Sequence, residues 1–131
     1  MNCLIVEDDP TLTYALCEAV RHMGHSVQAA GTVADAQRSL ATNKFDLIIF
    51  DFVLPDGTTL DVSSYAAMTQ PNCRIILLTG RQIFLAGEHK KIAPGIDWIL
   101  RKPVSLKDLS ALIEYAARDL EWNPTPACAL P

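Results

Sequence analysis

The sequence predicts an α/β fold in which a parallel β-sheet is covered by helices on both faces. Short apolar runs without polar alternation recur along the 131-residue chain, as expected for parallel strands that are buried on both sides. Each run is followed by a segment long enough for a helix, which is typical of repeated β–α units. The predicted strands cover residues 3–6, 26–30, 47–50, 75–78 and 98–100, and the second has the weakest apolar pattern.

Five helices are predicted between and after these strands. The first has apolar residues at helical spacing and stops at Gly24, the second begins after Thr32, and the last begins after Ser105. Segments 58–69 and 81–93 are predicted to be crossover helices from their position between strands alone. Their apolar spacing is poor, and Gly87 interrupts the second. The predicted inward residues are Leu12, Ala15, Leu16, Ala19, Val20 and Met23; Val33, Ala36 and Leu40; and Leu109, Leu112, Ile113, Ala116 and Leu120.

The chain length indicates one domain with one core. We assign it to residues 1–121 and expect residues 122–131 to be an irregular tail, because Pro124 and Pro126 interrupt any helix there. The tail is too short to be an effector domain.

Composition excludes several classes of function. A net charge of −4 without a block of Lys or Arg argues against direct binding to nucleic acid. No apolar run approaches the roughly 20 residues needed to cross a bilayer, and the chain start lacks a secretory pattern, so we expect a cytoplasmic protein without membrane insertion. The scattered cysteines show no metal-ligand spacing, so we expect reduced thiols at Cys3, Cys17, Cys73 and Cys128.

Reactive side chains follow four of the five predicted strands. Ligands of open parallel sheets bind outside the carboxyl ends of the strands, so these residues are the candidate site. Taken singly, each has an ordinary interpretation as a turn aspartate, a helix cap or a surface lysine. Together on one sheet edge they indicate function: Glu7, Asp8 and Asp9 after the first strand, Asp51 after the third, Thr79 after the fourth and Lys102 after the fifth.

The acidic positions predict a hard divalent cation. Two carboxylates about 4 Å apart repel by about 4 kcal/mol at an effective dielectric constant of about 20, so the cluster favours a bound cation. The ligands are all oxygens, which makes Mg²⁺ the best candidate, with Mn²⁺ as a substitute. Asp51 is then the predicted nucleophile of an aspartyl phosphate, and Lys102 and Thr79 are positioned to bind the added phosphoryl oxygens.

Motifs in this order resemble response-regulator receiver domains, over residues 1 to about 121. They are the Leu-Ile-Val-Glu-Asp-Asp run ending at Asp9, the Asp-Phe-Val-Leu-Pro-Asp-Gly segment starting at Asp51, the Leu-Leu-Thr-Gly segment ending at Gly80, and Lys102 with Pro103. The resemblance implies a flavodoxin-like fold with strand order 2-1-3-4-5 and five helices.

The same resemblance implies the chemistry of the site. Asp8, Asp51 and the backbone carbonyl of Val53 would bind Mg²⁺, and Glu7 would act through water. Asp51 would take a phosphoryl group from a phosphohistidine of a sensor histidine kinase or a histidine phosphotransfer protein. Such a domain is a phosphoacceptor in a phosphorelay and not an enzyme that turns over an external substrate. We assign Asp9 to turn capping.

Output is expected through the face formed by the last two helices and the fifth strand, which is also a candidate homodimer interface. Thr79 and Lys102 would shift the populations of two conformations of that face toward an unknown downstream protein. The family commonly has Tyr or Phe at the position of Ile99, and Trp98 beside it points to the other side of the strand, so Trp98 is expected to be a packed or half-exposed aromatic. The remaining candidate residues of this face are Arg101, Lys90 and Lys91.

Two positions bear on the lifetime of the phosphorylated form, and one on the local fold. Val53 and Arg81 would flank the attacking water, and neither is an obvious activator of water, so we predict slow self-dephosphorylation when no phosphatase is added. Thr59 stands where the family commonly has Gly at the start of the third helix, which is expected to alter the loop and not the chemistry.

Three other functions are alternatives to this interpretation. A flavodoxin-like electron carrier would need a loop that binds a flavin phosphate, which Glu7, Asp8 and Asp9 would repel. Phosphohydrolases with an Asp nucleophile usually carry a second acid two residues later, where this chain has Val53. A degenerate receiver that binds partners without phosphorylation is the remaining alternative, and the full set of acidic, hydroxyl and lysine residues argues against it.

Overall fold

The computed structural model describes residues 1–80 and 95–122. Strands β1 (Asn2–Val6), β2 (Ser26–Ala30), β3 (Leu47–Asp51), β6 (Arg74–Thr79) and β7 (Trp98–Arg101) form one parallel sheet in the order β2-β1-β3-β6-β7. This confirms the predicted strand order 2-1-3-4-5. Strands β4 (Val53–Leu54) and β5 (Gly57–Thr58) form a short antiparallel hairpin that was not predicted.

Four of the five predicted helices lie in the described residues. They are α1 (Pro10–His22), α2 (Val33–Thr42), α3 (Thr59–Thr69) and α4 (Leu106–Trp122). Helix α4 includes Trp122, one residue past the predicted boundary. The predicted helix at 81–93 and most of the predicted tail, residues 123–131, lie outside the described residues.

Capping residues explain where α1 and α4 begin and where α1 ends. Asp9 caps α1 and accepts a hydrogen bond from the amide of Thr11 at 3.0 Å, which confirms its assignment to turn capping. The hydroxyl of Ser105 accepts a bond from the amide of Asp108 at 3.2 Å, at the start of α4. Gly24 follows α1 with φ of 88°, a left-handed conformation that favours glycine.

Each face of the sheet supports its own apolar cluster. Central strand β3 is buried along its whole length, whereas edge strand β2 is largely exposed, which explains its weak apolar pattern. Helices α2 and α3 cover one face, and α1 and α4 cover the other. The helix residues buried in these clusters are Val33, Ala36, Leu40, Val62, Ala66, Leu16, Cys17, Val20, Leu109, Ile113 and Ala116.

Among the described helices, none has the length and apolar character needed to cross a bilayer. Cys3, Cys17 and Cys73 are free thiols, as predicted, whereas Cys128 lies outside the described residues. Burial raises the pKa of the Cys3 thiol to about 11, so it stays protonated at neutral pH.

Gln70 links the end of α3 to the end of α2 and to the loop that precedes β3. Its side-chain oxygen accepts a bond from the amide of Phe45 at 2.7 Å, and its amide nitrogen donates to the carbonyls of Leu40 at 3.0 Å and Asn43 at 2.7 Å. Gln70→Ala is expected to lower the free energy of unfolding by about 3 kcal/mol, because it leaves buried backbone groups unpaired. Urea unfolding measures this, with Gln28→Ala on exposed edge strand β2 as control. Equal losses in both variants would contradict the predicted role.

Candidate functional site

The register of the sheet brings the predicted site residues to one edge. Val6 pairs with Phe50, Asp51 with Leu78, and Thr79 with Arg101. Neighbouring strands therefore end at nearly the same level of the sheet. Because all five strands are parallel, their carboxyl ends lie together. The side chains that follow them therefore converge.

Three carboxylates meet at this edge. Glu7, Asp8 and Asp51 each offer one oxygen, and these three oxygens all lie within 4.8 Å of one another. Glu7 and Asp51 are buried, whereas Asp8 is exposed, so the cluster opens to solvent on the Asp8 side. Such a set of hard oxygen donors with an open side fits a divalent cation that keeps water among its ligands.

Lys102 inserts its ammonium group between two of these acids. Its Nζ lies 3.1 Å from Oδ1 of Asp51 and 3.2 Å from Oε2 of Glu7. Its side chain is 29% exposed, so both ion pairs are only partly screened by water. The peptide bond between Lys102 and Pro103 is cis. Within the site, Lys102 is thus the counter-ion of the buried acids.

The electrostatics of the cluster follow from burial and charge. Burial raises the pKa of Asp51, and the neighbouring Asp8 carboxylate raises it further, while Lys102 opposes both. Burial also raises the pKa of Glu7, and Asp51 adds to this. Burial acts to lower the pKa of Lys102, but its hydrogen bonds to Asp51 and Glu7 outweigh that effect and raise it. Among residues 1–80 and 95–122, one cation is therefore paired with this cluster of three acids, which favours further positive charge there.

Local bonds fix the direction of Glu7. Its carboxylate accepts a bond from the amide of Asp9 at 3.1 Å, and its carbonyl accepts one from the hydroxyl of Thr13 at 3.1 Å. The side chain is thereby turned back into the sheet edge and toward Lys102. Asp9 caps α1 outside the cluster of three carboxylates, as expected.

Thr79 and the β4–β5 hairpin flank Asp51. Thr79 is buried at the end of β6, and its carbonyl accepts a bond from the amide of Lys102 at 2.9 Å. The amide of Phe52 donates to the carbonyl of Leu78 at 3.0 Å, which holds the residue after Asp51 against β6. Val53 then begins the hairpin with an exposed side chain.

The candidate output residues fall on two faces of β7. Trp98 packs against the cluster of α1 and α4, whereas Ile99 packs against the cluster of α2 and α3, so adjacent residues point to opposite sides as predicted. Trp98 is half-buried and makes an edge-to-face contact with Tyr115, with ring centroids 5.9 Å apart. Arg101 is exposed, and Lys90 and Lys91 lie outside the described residues.

Two features of the site were missed. Lys102 was expected to bind the added group, and its existing bond to Glu7 was not predicted, because the two residues are far apart in the chain. Asp56 was noted only within a motif, yet its carboxylate accepts bonds from the amides of Val33 at 2.7 Å and Ala34 at 3.1 Å. The Pro-Asp-Gly run signals a turn, but no sequence signal identifies the helix that Asp56 contacts.

Comparison with known proteins agrees with this geometry. The family profile described as "Response regulator receiver domain" matches residues 3–114. The chain is 31% identical over 128 residues to the DNA-binding transcriptional regulator NtrC of Azospirillum brasilense, covering 98% of this chain and 26% of that protein. It is 33% identical over 118 residues to the swarming motility regulation protein RssB of Serratia marcescens, covering 90% of this chain and 53% of that protein. The chain thus spans between a quarter and about half of these relatives.

Solved structures show the same fold. A response regulator receiver domain protein (CheY-like) from Methanospirillum hungatei superposes with a TM-score of 0.83 at 26% identity, covering 92% of this chain and 95% of that one. A two-component response regulator from Clostridium difficile gives a TM-score of 0.81 at 24% identity, covering 92% and 98%.

Proposed function

The chain belongs to the response regulator receiver domain family, and from this premise we propose that it is a phosphoacceptor with Asp51 as the phosphorylated residue. Receiver domains act in phosphorelay signalling and generally turn over no external substrate. The observation that carries the proposal is the position of Asp51, whose carboxylate ends a buried strand within the acidic cluster and within 3.1 Å of Lys102. The proposed location is the cytoplasm.

The donor set of the cluster supports a role for Mg²⁺. Asp8 and Asp51 supply carboxylate oxygens, the carbonyl of Val53 is the proposed third ligand, and Glu7 is proposed to act through water. These are the hard oxygen ligands that Mg²⁺ prefers, and Mn²⁺ would serve in its place. A bound Mg²⁺ would supply charge that shields the incoming phosphoryl oxygens from the carboxylates.

Phosphoryl transfer then follows from the proposed roles of the side chains. A carboxylate oxygen of Asp51 forms a bond to phosphorus, the bond between phosphorus and the donor imidazole nitrogen breaks, and its electron pair stays on the imidazole, which takes up a proton. The donor is proposed to be a phosphohistidine of a sensor histidine kinase or a histidine phosphotransfer protein. Lys102 exchanges its bond to the Asp51 carboxylate for one to a phosphoryl oxygen, and the Thr79 hydroxyl donates a second hydrogen bond.

Transmission to a partner is proposed to run through β7. The backbone bond from Lys102 to Thr79 joins β7 to the residue that would bind the phosphoryl group, so a shift of Thr79 acts on the strand directly. The proposed output residues are Trp98, Ile99 and Arg101 of edge strand β7, together with Lys90 and Lys91, and they would bind a downstream protein or a second copy of the chain. With Ile99 in place of an aromatic residue, strand movement replaces ring rotation as the proposed relay.

Incubation with acetyl phosphate and Mg²⁺, followed by intact-mass measurement, tests this function. We expect the wild-type chain to gain one phosphoryl group, mapped to the peptide that contains Asp51, and to gain none when EDTA removes the cation. The same gain is expected from a phosphorylated histidine phosphotransfer protein. If the mass stays unchanged although Mg²⁺ binds, the proposed function is wrong.

A further inference from the structure

Helix α2 begins on a carboxylate that comes from another part of the chain. The first four amides of a helix have no partner within it. Here the amide of Val33 donates to Oδ1 of Asp56 at 2.7 Å and that of Ala34 to Oδ2 at 3.1 Å. The next two amides, at positions 35 and 36, bond to the hydroxyl and the carbonyl of Thr32 at 3.1 Å and 3.0 Å. All four are therefore satisfied, two of them by Asp56.

Asp56 sits at the tip of the hairpin that carries the chain away from the proposed acceptor. Strands β4 and β5 pair Val53 with Thr58 and Leu54 with Gly57, and Asp56 lies in the turn between them. At its base the hairpin is held by the bond from the amide of Phe52 to β6. At its tip it is held by the two bonds from α2. The carbonyl of Val53 lies between these two anchors.

Close packing seats the tip in the same place. A Cβ atom added to Gly57 would lie 3.1 Å from Cγ2 of Val33 and 2.8 Å from Oδ2 of Asp61. The amide of Thr58 donates to that same Asp61 oxygen at 3.3 Å. The tip is therefore enclosed between the first turns of α2 and α3. The backbone bonds from α2 also hold the pKa of Asp56 below its ordinary value, so the carboxylate stays ionised at neutral pH.

We propose that Asp56 is a positioning residue, which fixes the hairpin to α2 and thereby holds the Val53 carbonyl where the divalent cation binds. This inference rests on the proposed function. Residues that orient a metal ligand typically change metal affinity when they are removed, even though they never touch the ion. Asp56 acts on the site through the backbone of the hairpin, and α2 becomes part of the site's support.

The matched variants are Asp56→Ala and Thr32→Ala. Both remove cap bonds from α2, but only the first releases the hairpin. A dissociation constant for MgCl₂ alone, measured from amide shifts in ¹⁵N–¹H spectra, is expected to rise about tenfold in Asp56→Ala and to stay unchanged in Thr32→Ala. Amide exchange at Val33 and Ala34 is expected to accelerate in Asp56→Ala, because these two amides lose their bonds to the Asp56 carboxylate. With acetyl phosphate, the half-saturating Mg²⁺ concentration should rise while the rate at saturating Mg²⁺ recovers.

Equal Mg²⁺ affinity in the two variants would overturn the proposal, as would unchanged exchange at Val33 and Ala34. Asp56→Asn replaces Asp56→Ala if the latter does not fold, because the Asn side-chain oxygen keeps one of the two acceptors. The Mg²⁺ affinity of Asp56→Asn should be lower than that of wild type, but by less than the tenfold expected for Asp56→Ala. An affinity of Asp56→Asn equal to wild type, with the two amides exposed, would also overturn it. If the wild-type chain takes up no phosphoryl group, the proposed function is wrong. If the wild-type chain takes up a phosphoryl group but the Asp56 variant keeps wild-type Mg²⁺ affinity, only the positioning role of Asp56 is wrong.

Discussion

Asp51→Asn is expected to abolish phosphoryl incorporation from acetyl phosphate. An amide is far less nucleophilic than a carboxylate and forms no acyl phosphate, so the acceptor is lost while the shape of the side chain is kept. The fold should persist, because removing one carboxylate from the cluster relieves repulsion from Asp8 and offsets the lost ion pair with Lys102. Intact-mass measurement after incubation with Mg²⁺ reads the result, and far-ultraviolet circular dichroism verifies the fold.

The matched control for this loss is Asp9→Asn. Asn and Asp cap helices about equally well, so α1 should keep its start and the chain should keep its full phosphoryl gain. A phosphoryl gain that persists in Asp51→Asn would assign the acceptor to another residue. A loss in Asp9→Asn would mean that Asp9 belongs to the site, contrary to its role as a cap.

Elements that rest on local patterns were predicted well. Buried strand β3 reads as a continuous apolar run, and α2 begins after Thr32 and buries Val33, Ala36 and Leu40 as predicted. Strand β2 was weak in the sequence because it is an edge strand that exposes most of its residues. Helix α3 has poor apolar spacing, and it is held by contacts of Val62 and Ala66 with the sheet cluster, which no local pattern shows.

For the candidate site, the sequence predicted the positions of the residues but not the bonds between them. The positions of Glu7, Asp8, Asp51 and Lys102 at one edge follow from parallel strands, so the sequence was sufficient to bring them together. The bonds between them were not predictable, because Lys102 and Glu7 are separated by most of the chain. The contact of Asp56 with α2 was not predictable either, since a carboxylate in a turn can cap its own turn or any helix start nearby. Residue types indicate the chemistry, and tertiary packing selects the partners.

Lys102→Met is expected to change phosphoryl incorporation and cation binding in opposite directions. The ammonium group is the cation that would stabilise the transferred phosphoryl oxygens, so its loss should slow incorporation by about a hundredfold. The same group now bonds Asp51 at 3.1 Å and Glu7 at 3.2 Å, where it repels a divalent cation in the acidic cluster. Its removal should therefore tighten Mg²⁺ binding, by about tenfold, because like charges a few Å apart interact strongly at an effective dielectric constant of about 20.

Stability should follow the same charge balance. Without Mg²⁺, the variant leaves buried acids without their counter-ion, and its free energy of unfolding should fall by about 3 kcal/mol. Added Mg²⁺ should restore more stability to Lys102→Met than to wild type, since a ligand that binds only the folded state stabilises it by an amount that rises with the logarithm of its affinity. Urea unfolding with and without MgCl₂ measures the loss of stability in the variant and the stability that Mg²⁺ restores.

Lys107→Met is the matched control, because it removes the same charge from an exposed position on α4. It should leave incorporation, Mg²⁺ affinity and stability near their wild-type values. Tighter Mg²⁺ binding together with slower incorporation in Lys102→Met distinguishes the proposed role from a general distortion of the site, because a distorted site would lose both cation binding and phosphoryl incorporation. Weaker Mg²⁺ binding in Lys102→Met would therefore contradict the picture of Lys102 as the resident counter-ion, whereas unchanged incorporation would contradict its role toward the phosphoryl group.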